Sequence, residues 1–101
     1  MSYTATDKLP PVHPGEILRD ELDALGLSAR KFAEAIGVPP NAVTQILRGE
    51  RGISAEMALR LGIAFGTDER YWMNLQNSYD AKVARAKMAD KLPTIRRLVA
   101  T

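Results

Sequence analysis

The sequence predicts an all-α chain of five helices, the last of them the longest. Two observations lead there. Apolar residues recur at three- and four-residue spacing through most of the chain, and glycine, serine and proline stand where that spacing stops. No internal repeat or low-complexity segment interrupts the pattern.

Pro10 and Pro11 exclude a helix at the start, so residues 1–12 read as an extended N-terminal arm. The first helix opens at Pro14, where a missing amide hydrogen costs nothing. Leu18, Leu22 and Leu25 line one side with Ile17 beside them, Glu16, Asp20, Glu21 and Asp23 line the other, and Gly26 ends it. The second helix takes Ser28 as N-cap, turns Phe32, Ala33 and Ile36 inward and stops at Gly37. The third opens at Pro39-Pro40 and runs through Val43, Ile46 and Leu47 to Gly49.

Ser54 caps the fourth helix, with Glu56 in its positive first turn. Met57, Ala58, Leu61, Ala64 and Phe65 form one apolar face, and Leu59 and Ile63 a second. That predicts a central helix with neighbours on both sides. The fifth helix begins at Thr67, Asp68 and Glu69 and ends before Pro93. Its Trp72, Leu75, Tyr79, Val83 and Ala86 approach a heptad seam, too short for a coiled coil. Residues 89–101 form a basic tail or a short helix starting at Pro93.

A chain of 101 residues has room for one domain, placed at 13–88, and for a modest core that association would help. Its apolar share of 46% and charged share of 26% are those of a globular protein. With no cysteine there is no disulfide framework and no thiolate metal site, which fits a cytoplasmic location. There is no apolar run of membrane-spanning length and no secretory signal, so no membrane role is expected. His13, the one histidine, suits a helix cap better than catalysis. No phosphate loop or nucleophile–base motif occurs, so the reading is non-enzymatic, with no metal and no cofactor. The net charge of +2 argues little, but its distribution argues more. Residues 1–25 carry two basic and five acidic side chains, residues 26–52 four and two, and residues 80–101 six and two. Separate surfaces for separate partners are the expectation.

The most informative stretch runs from Leu27 to Gly49 and has the register of a helix-turn-helix. Ala33 is small where two helices cross, Gly37 takes a left-handed turn, Val38 plugs it, and Val43 and Ile46 face inward. Asn41, Thr44 and Gln45 then project outward from the second helix, the one shaped for a major groove. Asn and Gln side chains can bond adenine in two places, Thr44 can hydrogen-bond or touch a thymine methyl, and Pro40 offers a similar apolar contact. Ser28 with its helix-start amides, Arg30, Arg48 and Arg51 suit phosphates. Taken singly, Arg30 and Arg51 read as ordinary solvated charges. On the fifth helix Tyr71 and Trp72 read as core, while Leu75, Tyr79 and Val83 serve the core, a dimer seam, or both. Lys82, Arg85, Lys87, Lys91, Arg96 and Arg97 are solvated by default.

Leu27 to Gly49 resembles the Cro-type phage-repressor (XRE) helix-turn-helix. The flanks are more specific. His13-Pro14-Gly15-Glu16-Ile17-Leu18, and Gly66 to Asp80 with Trp72-Met73-Asn74-Leu75-Gln76 and Tyr79-Asp80, resemble HigA-type antitoxins, over roughly residues 12 to 88. The resemblance implies a five-helix phage-repressor-like domain and a toxin–antitoxin module. In such a module a homodimer binds double-stranded operator DNA in its own promoter, represses transcription, and neutralises a HigB-like toxin that cleaves mRNA. Pro39 departs from the wider pattern, which often has a serine cap there. Two other readings keep the fold: a stand-alone regulator without a toxin, and a protein-interaction module that does not bind DNA.

Overall fold

Helix formation follows the caps. The computed structural model describes residues 9–100, so most of the arm expected at 1–12 lies outside the described residues, as does Thr101. Five α-helices follow one another: α1 Pro14–Leu25, α2 Ala29–Ile36, α3 Pro40–Leu47, α4 Ala55–Phe65 and α5 Glu69–Lys87. His13 Nδ1 accepts from the Gly15 amide at 2.9 Å, in the capping role expected of it. Ser28 and Ser54 accept from Lys31 and Met57, each at 3.1 Å. Asp68 starts α5 by accepting from the Arg70 amide at 2.8 Å. A hydrogen bond from the Arg70 guanidinium holds the Asp68 carboxyl at about 2, well below its ordinary value. Gly26, Gly37 and Gly66 close α1, α2 and α4 in the left-handed conformation.

The helices pack around one core. α2 lies on α3 and α4, α1 on α3 and α5, and α4 on α5. Leu18, Leu22, Phe32, Ala33, Val43, Ile46, Ala58, Leu61 and Trp72 are all buried. A run of rings ties three helices together. Phe32 stacks on Phe65 at 5.3 Å, and Phe65 lies 5.7 Å from Trp72. Gly62 lets α4 pass close under the start of α5, since a Cβ there would fall 2.9 Å from the Thr67 carbonyl oxygen. No helix among the described residues is long and apolar enough to cross a membrane.

Four expectations need correction. The second apolar face of α4 has no neighbour: Ile63 is 86% exposed and Leu59 52%. Leu61 and Ala58 face α2 and α5, and among the described residues no further helix covers the opposite side. Ala64 is also exposed, at the rim of that face. Leu25 is exposed because Gly26 ends α1 just beyond it. Tyr71 is half out of the core, meeting Trp72 edge-on at 5.3 Å. The tail, left open between a short helix and a basic tail, holds a 3₁₀ turn at Leu92–Thr94, with every described residue from Arg85 onward exposed.

α1 meets α3 backbone to backbone. A Cβ at Gly15 would collide with the Ile46 carbonyl oxygen. Gly15→Ala would favour a free helix by about 1 kcal/mol. Here the neighbour is backbone and cannot swing aside, so overpacking dominates, with a net loss of about 1–3 kcal/mol. A melt of the variant should fall by roughly 4–8 °C per kcal/mol. A raised midpoint would show that α1 is free to back away from α3.

Candidate nucleic-acid interface

The site is built on α3, which is buried on one side and exposed to half-buried on the other. Ala42, Val43 and Ile46 point into the core, each burial worth up to about 1.5–3 kcal/mol for the larger two. At 3.6 residues per turn, Thr44, Arg48, Asn41 and Gln45 then occupy an arc of roughly 100° on the opposite side. Asn41 and Arg48 are exposed, Thr44 and Gln45 half-buried, and Pro40 sits exposed at the first helical position. Pro39 is the N-cap and makes no side-chain hydrogen bond, as its chemistry dictates. Thr44 Oγ1 donates to the Asn41 carbonyl at 3.3 Å, so its methyl and lone pairs are what it presents outward.

Behind α3, α2 is fixed by its own turn. Gly37 sits at φ 74°, and the Val38 amide donates to the Ala33 carbonyl at 3.0 Å. Ala33 is fully buried at the crossing and Val38 packs against the core, in the places the helix-turn-helix register gives them. Arg60 reaches over from α4 and donates to the Ile36 carbonyl at 2.6 Å, closing the C-terminal end of α2. At the other end Ser28 and Arg30 are exposed. The Ser28 oxygen accepts from Lys31, which leaves its proton free to donate outward.

After α3 the chain turns at Gly49, with φ 75°. The Gln45 carbonyl accepts from Glu50 at 2.9 Å and from Arg51 at 3.2 Å, folding the loop back against α3. Arg48 and Arg51 are exposed there. Neither they nor Arg30 makes a side-chain hydrogen bond or ion pair within the described residues. The loop's far end is held by α5. The Ile53 amide donates to Gln76 Oε1 at 2.6 Å, and Gln76 Nε2 donates to Asp80 Oδ1 at 2.9 Å. Tyr79 meets His13 edge-on at 4.9 Å.

The structure thus gathers Asn41, Thr44, Gln45, Arg48 and Arg51 on α3 and its loop, with Ser28 and Arg30 at the start of α2. Of the α5 stripe, Leu75 packs on the core, Tyr79 is half-buried against His13, and Val83 is exposed. Sequence reasoning assigned no task to Arg60 or Gln76. The i, i+4 spacing of Gln76 and Asp80 signalled half of the second arrangement. Its bond to Ile53 spans 23 residues and left no local trace.

Residues 18–72 match the helix-turn-helix family. The structure superimposes on an addiction module antidote protein of a HigA family from Coxiella burnetii. The TM-score is 0.87 and the identity 43%, over 90% of this chain and 100% of that one. The chain belongs to the HigA family of XRE-type helix-turn-helix proteins. Pseudomonas aeruginosa antitoxin HigA, solved with the higBA promoter, is similar at TM-score 0.84 and 44% identity, over 88% of this chain and 99% of that one. Virulence-associated protein I of Dichelobacter nodosus is 48% identical over 79 residues, 77% of this chain and 73% of the relative. The HigA family is one of DNA-binding proteins and not of enzymes.

Proposed function

We propose that this chain is the sequence-specific DNA-binding antitoxin of a HigBA-type type II toxin–antitoxin system. As a homodimer in the cytoplasm it binds its own operator, represses transcription, and neutralises an mRNA-cleaving HigB-like toxin. The observation that carries the reading is the outward arc of α3, where exposed and half-buried amide and hydroxyl side chains stand opposite a buried apolar face. Support comes from the high similarity to a HigA antitoxin solved with promoter DNA.

In this reading residues 13–88 are the DNA-binding and dimerising unit, flanked by the arm at 1–12 and the basic tail at 89–101. Asn41 and Gln45 read base edges, with Thr44 and Pro40 offering methyl and ring contacts to thymine. Arg48 and Arg51 from the loop, and Ser28 and Arg30 from α2, bind phosphates and set the register. Two copies present two α3 helices to major-groove faces about one helical turn apart. Val83, with the outer edges of Tyr79 and Leu75, supplies the apolar contact between copies.

Gln45→Ala should lower discrimination at one base position by roughly 1–3 kcal/mol and leave nonspecific binding nearly unchanged. Equal losses on operator and random duplex would remove Gln45 from base reading. Arg48→Ala should weaken every sequence and make the salt dependence shallower by about one unit; an unchanged slope would take it off the phosphates. The partner is tested by co-expression with the gene that lies directly upstream, scored for growth rescue and copurification. Failure of both, with promoter binding intact, would leave a regulator without a toxin.

A further inference from the structure

We propose that Gln76, on α5, is a positioning residue for DNA binding: its amide clamps the loop that carries Arg48 and Arg51 in the geometry that meets phosphates. The inference rests on the DNA-binding reading above. The loop from Arg48 to Ile53 is anchored in two ways. The first is local: the Arg48 amide donates to the Thr44 carbonyl, the Gly49 amide to Ile46, and the Glu50 and Arg51 amides to Gln45. The second comes from a distant helix, the 2.6 Å bond from the Ile53 amide to Gln76 Oε1.

Three features make this second anchor specific. A carboxylate can only accept, so the 2.9 Å contact with Asp80 obliges Gln76 to face it with Nε2. That leaves Oε1, and no other atom of the amide, for the Ile53 N–H. Gly52 has no side chain where the amide lies, since a Cβ there would fall 2.9 Å from Oε1. Ile53 itself is buried, so its amide would be costly to leave without an acceptor at that point. Gln76 thus fixes both the height and the direction of the loop against α5. The Arg48 and Arg51 side chains make no hydrogen bond or ion pair among the described residues, so the backbone of the loop sets where they start from.

The polarity of the chain of bonds supplies its own test. Gln76→Ala removes the acceptor. Gln76→Glu keeps an acceptor for Ile53 but sets a carboxylate against Asp80. In the double variant Gln76→Glu with Asp80→Asn, the new amide donates to the new carboxylate, so the bond between positions 76 and 80 is rebuilt in the reverse direction while the Ile53 amide keeps its acceptor. The full-length chain and these variants would be titrated against a duplex of its own promoter and a random duplex, at several salt concentrations. Amide hydrogen exchange at Ile53 would be followed without DNA.

Both single variants should lose about tenfold in affinity, the upper end of the scale for one ordinary hydrogen bond. The loss should be equal on the two duplexes, with a shallower salt slope and faster exchange at Ile53 while α3 stays protected. The double variant should recover to within about threefold of the parent, and its Ile53 exchange should slow again. A general fold defect would instead release α3 and the core together, and that outcome overturns the proposal. So does parental affinity in both single variants, or a double variant that regains protection at Ile53 without regaining affinity. If the parent chain binds neither duplex, the DNA-binding reading itself falls, while Ile53 exchange across the cycle still reports whether the clamp exists.

Discussion

The contact between Gly15 and the Ile46 carbonyl is the constraint on which the rest of the molecule depends. It brings the first turn of α1 down onto the last turn of α3 with no side chain between them. Because α1 arrives there, Leu18 and Leu22 reach the core beside Ile46, and His13 comes to rest between Gly49 and the Tyr79 ring. One missing Cβ therefore links the start of the domain, the end of α3 and the middle of α5. The same contact closes α3 from one side while α2 closes it from another, through the small Ala33 at their crossing.

Two short helices of eight residues have little stability of their own. Their geometry is imposed from outside. Arg60 on α4 holds the C-terminal end of α2, and Gln76 on α5 holds the loop beyond α3. The rings of Phe32, Phe65 and Trp72 bind those outer helices to α2 through a shared apolar run. Trp72 does this at some expense: its indole Nε1 is buried with no hydrogen-bond partner among the described residues. The result is a rigid support for a face whose polar side chains spend few hydrogen bonds within the chain. Apart from the Thr44 hydroxyl, the outward arc is left to meet something else.

Much of this was legible in the sequence because the signals are local. A cap, a glycine terminator and a 3.6-residue apolar period act within one or two turns. Ser28, Gly37, Ser54 and Gly26 therefore marked helix ends that the structure keeps. The inward Val43 and Ile46 fixed which way Asn41, Thr44 and Gln45 must point, since one face of α3 excludes the other. The HigA resemblance of the flanks was carried by residues that the structure brings together: His13 and Gly15 on one side, Gln76 and Tyr79 on the other.

Tertiary structure alone decided what depends on partners far along the chain. Leu59 and Ile63 are as apolar as the core, and periodicity cannot tell whether a helix has one neighbour or two; here α4 has its neighbours on one side only. Leu25 shares the spacing of Leu18 and Leu22 but lies past the point where α1 touches the core. Gly15 and Gly62 are helical glycines whose reason is a carbonyl on another segment, and Gln76 finds Ile53 across 23 residues. Sequence determined the helices and the face that α3 presents, because those follow from neighbours a turn away. Which helices clamp that face in place was settled by packing, because those contacts exist only once the chain has folded.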